Sequence, residues 1–277
     1  MFIERSKKVG KDVVILVHTR YDSDMLVHIV LISLAIITRF AYLGRTAFFV
    51  NDQGRDALIV MQMLIDHKPV LIGPATSFNS VLGSFYFGPF YYYILALFAA
   101  INKSPLFLTI SIPVFFVVLI MLFLSLKQFS LRIKIIYSLL ILFSAYSLLH
   151  TRFLWNLNMG FLLSVILFFV FLKWEESIAK KWYVLISFGL ISGAIFQIHY
   201  GTLFLYVIFL LYLVKGLKNK SLYLCGFIFS FVPFVIFDVR HNLLLVRTAI
   251  GVIQSSILNH PAMSSNILTT FGEIFEA

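Results

Sequence analysis

Successive apolar runs, several of them close to the length that crosses a bilayer, constrain this chain more than any motif in it. An α-helix advances about 1.5 Å per residue, so roughly 20 apolar residues are needed to span the hydrocarbon core. Only short polar clusters separate the runs, which leaves no room for a domain-sized soluble region. Of the 277 residues, 61% are hydrophobic and 12% charged, about half the charged share of an ordinary soluble domain. The expectation is an all-α, polytopic integral membrane protein. A net charge of +10 would suit nucleic acid if it formed a patch, but the basic residues are scattered among short segments between apolar runs, so no nucleic-acid partner is expected. The single cysteine, Cys225, lies inside an apolar run and excludes an intrachain disulfide or a cysteine-based metal cluster.

Spans are expected at about 25–43, 106–126, 133–150, 158–174, 182–197, 201–214 and 221–237, seven in all. Residues 1–24 carry Arg5, Lys7, Lys8, Lys11 and Arg20 without a small-residue cleavage site after the first run, and read as an uncleaved cytoplasmic tail. Arg39, near the end of the first run, is expected to snorkel to the interface. The topology turns on Phe85 to Ile101. If that segment does not cross, cytoplasmic segments hold 14 Lys and Arg and outer segments 7; if it crosses, the split is 9 inside and 12 outside, against the positive-inside bias. Gly88-Pro89 also interrupts the run. Residues 44–105 therefore read as a long first outer loop with two interfacial helices, at about 54–67 and 89–101, and Tyr91 to Tyr93 at headgroup level. Residues 25–237 form the transmembrane domain and 238–277 an extracytoplasmic C-terminal segment.

This parity gathers four polar motifs on the outer face: Asn51 to Asp56, His150 to Asn158, Gln197 to Gly201 and Asp238 to Asn242. Together they offer carboxylates, guanidiniums, imidazoles and amides, a mixture suited to an anionic headgroup and a polyhydroxylated ligand beside membrane lipid. Asp52 can serve as a general base or as the N-cap of a helix starting near Gly54. Asp56 can act as a second acidic ligand or as partner to a nearby cation; the second is preferred, because two carboxylates fall short of a divalent-cation shell. Arg55, Arg152 and Arg240, with His199 and His241, are candidates for holding a phosphate, although Arg152 and Arg240 also suit interfacial anchoring. His199 could instead ligate a metal or be a hydrogen-bonded structural residue. Trp155 beside Asn156 pairs an apolar face with an amide, as a sugar contact would.

Asp52-Gln53-Gly54-Arg55-Asp56, then Gly88-Pro89-Phe90-Tyr91-Tyr92-Tyr93, then Thr151-Arg152-Phe153-Leu154-Trp155-Asn156, resemble bacterial and archaeal members of the protein mannosyltransferase and aminoarabinose transferase group. These are polytopic glycosyltransferases of the GT-C class, and the resemblance covers about residues 25 to 245. It implies a polyprenyl-phosphate-linked sugar as donor, a lipid, glycan or protein acceptor, inversion at the anomeric carbon, and an active site on the extracytoplasmic face of the cell membrane. Asp52 matches the family's acidic base. The chain departs from the family at Gln53, where Glu is frequent, and at Asn156 and Asn158, where Asp is frequent. Both departures weaken a divalent metal site built on Asp52, Asp56 and His199. Relatives of this kind usually continue through more spans, so the chain reads as an N-terminal portion or a short variant. A transporter or lipid flippase, or a noncatalytic membrane subunit, is the alternative; Gly88-Pro89 could mark a broken transport helix, but no acidic residue lies inside an expected span.

Overall fold

The computed structural model describes residues 24–47, 49–80, 83–213 and 216–258. The expected tail therefore lies outside the described residues except for Asp24, as does the end of the C-terminal segment. The described chain is mostly helical. Its helices are α1 (24–40), α2 (Leu43–Thr46), α3 (Asn51–Ile65), α4 (Phe90–Ile101), α5 (Pro105–Thr109), α6 (Ser111–Ser125), α7 (Leu131–Phe143) and α8 (Ala145–His150). After them come α9 (Asn156–Lys180), α10 (Trp182–Phe196), α11 (Leu203–Ile208), α12 (Leu217–Phe229), α13 (Val232–Arg240) and α14 (Leu244–Leu258).

The seven-span expectation is corrected. Two continuous helical stretches are long and apolar enough to cross a membrane, Pro105–Ser125 and Asn156–Glu175; Lys218–Phe229 with Val232–Arg240, bent by 43°, makes a third if the pair is one span. The remaining runs are broken or too short. Ser144 adopts an extended backbone that ends α7, and its side chain accepts from Ser147 N to start α8. The 201–214 run breaks into a 3-10 turn, the six-residue α11 and a π-helical turn at Phe209–Leu213. The 15 residues of α10 rise only about 22 Å, less than the roughly 30 Å hydrocarbon core.

One two-stranded hairpin stands among the helices. Strands β1 (Ala75–Ser80) and β2 (Gly83–Tyr86) pair antiparallel with Ala75 opposite Tyr86 and Ser80 opposite Gly83. Gly73-Pro74 and Gly88-Pro89 bracket the hairpin, and both dipeptides disfavour helix. The two helices expected in this outer loop do form, as α3 and α4. However, α4 is docked into the core: Tyr91, Tyr92, Leu95 and Ala99 are almost fully buried, while Leu97 and Ile101 face outward. The spacing of that buried stripe, i to i+4 to i+8, places Tyr91 and Tyr92 against neighbouring helices.

Hydrogen bonds between distant segments define two ends of the assembly. At one end, Gln128 donates to Leu172 O, Lys173 to Ser125 Oγ, and buried Lys134 to Leu124 O, the C-terminal turn of α6. At the other end, Arg39 is fully buried and does not snorkel: its guanidinium donates to Ile141 O, Leu142 O and Ser147 Oγ and lies 4.0 Å over the Phe116 ring. It caps the broken end of α7, where carbonyls lack helical partners.

The closest helix pair is α10 with α12. A Cβ at Gly189 would lie 2.0 Å from Tyr223 O, one at Gly226 2.0 Å from Ile186 O, and one at Gly193 2.6 Å from Phe227 O. Small residues four apart let backbones meet in this way. Gly226→Ala gains helix propensity, about 1 kcal/mol, but the obstacle is a backbone carbonyl that cannot rotate aside. A net loss of roughly 1–3 kcal/mol is expected on unfolding the purified protein in detergent. Gly54→Ala, with its nearest neighbour at 3.9 Å, should be neutral or stabilising in the same assay.

Candidate functional site

The site grows from the first turn of α3. The helix begins at Asn51, earlier than the expected Gly54, because Gln53 Oε1 accepts from Val50 N at 3.0 Å. Asp52 is therefore the second helical residue and not the N-cap. Its carboxylate still lies where the helix dipole favours negative charge, and it is exposed, with 55% of its side chain accessible. Arg55 Nη1 donates to Asp52 Oδ1 at 3.0 Å. The same guanidinium turns its Nε and Nη2 edge onto Asp56 Oδ1, at 2.9 and 2.8 Å. Asp56 is 2% exposed and receives a third donor, Tyr92 Oη, at 3.0 Å.

Electrostatics set the two carboxylates apart. Burial pushes the Asp56 pKa above its ordinary 3.8, offset in part by the bonds from Arg55 and Tyr92. Burial also works against the charge on Arg55, but its bonds to Asp56 prevail and raise its pKa. Both shifts are upward, which favours the charged form of Arg55 and disfavours that of Asp56, the more deeply buried group. Arg55 has five N–H donors, of which three are used here; the side chain is 42% exposed.

Three of the four polar motifs meet at this end through amide and backbone bonds. Gln53 Nε2 donates to Leu154 O at 2.8 Å, Asn156 Nδ2 to Ile198 O at 3.0 Å, and Gly88 N to Gln197 O at 2.8 Å. Tyr200 Oη reaches Tyr86 O at 2.8 Å, tying the hairpin to the same corner. A Cβ at Gly88 would lie 2.6 Å from Gln197 Cβ, so glycine permits that approach. His199 stacks on Phe87 at 5.2 Å and accepts from Gly201 N through Nδ1. When the ring is neutral its proton is on Nε2, and burial lowers its pKa below 6.5. Trp155 is half-buried beside Phe153.

Several candidates prove to be committed elsewhere. Arg152 donates to Thr38 O, Ala41 O and Thr46 Oγ1 at 2.7–3.0 Å, capping the end of α1. The amide of Asn156 is engaged by the 197–199 turn. Asp238 accepts from Leu245 N at 2.6 Å and so holds the start of α14. Arg240 is exposed at the end of α13, and His241 stacks on Phe237 at 4.0 Å with Nδ1 against the Phe237 carbonyl. Among the described residues no three His, Cys, Asp or Glu side chains gather as a metal site would require, and Asp52 and Asp56 converge on Arg55 instead. Tyr92 is the residue that sequence reasoning missed: 36 positions separate it from Asp56, and no local spacing signals the pairing. Comparison with protein-family models, with curated proteins and with solved structures finds no match.

Arg152→Lys loses the planar fork that reaches three acceptors, and should lower the unfolding free energy by on the order of 2–3 kcal/mol in detergent denaturation. For His199 the folded pKa is depressed, so its contribution is complete above pH 6.5 and is lost as pH falls through the lowered value. Denaturation series from pH 7.5 down to pH 5 should show a smaller loss for His199→Phe than for wild type.

Proposed function

We propose that this chain is a membrane glycosyltransferase that moves a sugar from a polyprenyl-phosphate donor to an extracytoplasmic hydroxyl or amine, with Asp52 as general base. The observation that carries the reading is the Arg55 bridge, which holds an exposed carboxylate beside a half-exposed guanidinium with donors to spare. The helices long enough to span a membrane support placement at a lipid surface, and the resemblance of the loop motifs supplies donor class and inversion. In the proposed step the acceptor oxygen or nitrogen attacks the anomeric carbon as its proton passes to Asp52. The bond from the anomeric carbon to the phosphate oxygen breaks, and polyprenyl phosphate leaves with the electron pair. Its growing charge needs cationic donors. Arg55 suits that role better than Arg152, whose terminal nitrogens are engaged with α1 and Thr46. His199 Nε2 is a further donor, and Trp155 offers a face to the sugar. The bent α12–α13 pair favours the second reading, a transporter or lipid flippase with a discontinuous helix.

Protein reconstituted in vesicles with radiolabelled polyprenyl-phosphate mannose or polyprenyl-phosphate aminoarabinose should release polyprenyl phosphate. Asp52→Asn should lower that rate by about 10²–10⁴-fold, with a stability loss of only about 1 kcal/mol from the lost dipole and Arg55 contacts. Binding or translocation of the donor without bond cleavage would favour the second reading, and full turnover by folded Asp52→Asn would remove Asp52 as base.

A further inference from the structure

Two parallel bonds from a guanidinium weaken a carboxylate as a base. Arg55 does not hold Asp52 by two such bonds. Its Nε and Nη2 are taken by Asp56 at 2.9 and 2.8 Å, and a single Nη1 bond reaches Asp52 at 3.0 Å. We infer that Asp56 is a positioning residue for Asp52: its buried carboxylate restrains Arg55 to one bond with the exposed carboxylate and offsets the guanidinium charge there. The inference rests on Asp52 being the base of the proposed transfer.

The surroundings fit a charge-balancing role. Asp56 is buried against α4, and Tyr92 Oη fixes the same oxygen that Arg55 binds. The titratable groups that act on Asp56 are Asp52 and Arg55 from α3 and the phenols of Tyr91 and Tyr92 from α4. The α5 segment, Pro-Leu-Phe-Leu-Thr, contributes none. Asp56 is thus the only carboxylate besides Asp52 among them, and it balances the single cation.

The test is the acid limb of kcat/KM for whichever of the two radiolabelled donors is turned over. Asp56→Asn keeps the shape but not the charge, and its limb should fall by about one pH unit as Arg55 closes on Asp52. Tyr92→Phe keeps all the charges, so its limb should stay in place. In the Arg55→Gln/Asp56→Asn double variant both opposing charges are gone, and the limb should return to the wild-type position. This variant also serves if Asp56→Asn alone does not fold, because it leaves no buried charge unpaired. An unmoved limb in folded Asp56→Asn, a Tyr92→Phe limb that moves as far as the Asp56→Asn limb, or a double-variant limb about one unit above wild type would each overturn the inference. Asp52→Asn separates the two levels: if it remains active the base assignment itself fails, whereas if it is inactive and the Asp56→Asn limb stays put, only the role of Asp56 fails.

Discussion

Where a helix stops in apolar surroundings, its last carbonyls and first amides must find partners, because an unpaired backbone group there costs more than almost any single contact returns. The structure depends on meeting that demand. Its apolar runs are interrupted at Ser144, at His199 to Gly201 and at Ser230-Phe231, and polar side chains stand at or near the interruptions. Arg39 caps α7, Arg152 caps α1, Lys134 caps α6, and Asp238 holds the start of α14. Ser230, at the bend between α12 and α13, is bonded by Gln197. Charges that looked costly in a lipid-like chain are the means by which broken helices are tolerated.

This requirement sorts the polar end of the molecule. Gln53, Asn156 and Arg152 are committed to carbonyls: the first two fasten α3, the 150–158 segment and the 197–201 turn into one corner, and Arg152 ties that corner to the end of α1. Asp52 and Arg55 remain with exposed polar surface, held by a buried carboxylate and a phenol. Amides at Gln53 and Asn156 have a physical reason here. An amide can donate to a carbonyl, as both do, whereas an ionised carboxylate in the same place would face it lone pair to lone pair.

Much of the helical framework was legible in the apolar pattern. The cores of α3, α4, α6 and α9 appear where periodicity and run length place them, and hydrogen bonds join three of the four polar motifs. Run length overestimated the number of crossings because one residue, such as Ser144, ends a helix without altering the average hydropathy of its window. The burial of Tyr91 and Tyr92 was not legible for a related reason. A tyrosine suits a headgroup layer and a core equally well, and its choice depends on what packs against it.

Composition and spacing by themselves determined a lipid-compatible, mostly helical chain with its polar residues in short clusters, since these follow from transfer energies and from the period of the helix. Tertiary structure alone decided which polar groups are committed and which are presented. Arg152 and Arg55 are the same residue type in neighbouring motifs, yet one finds the open end of α1 and the other finds two carboxylates. That difference lies in which acceptors come within about 3 Å, a property of how distant segments pack and not of either local sequence.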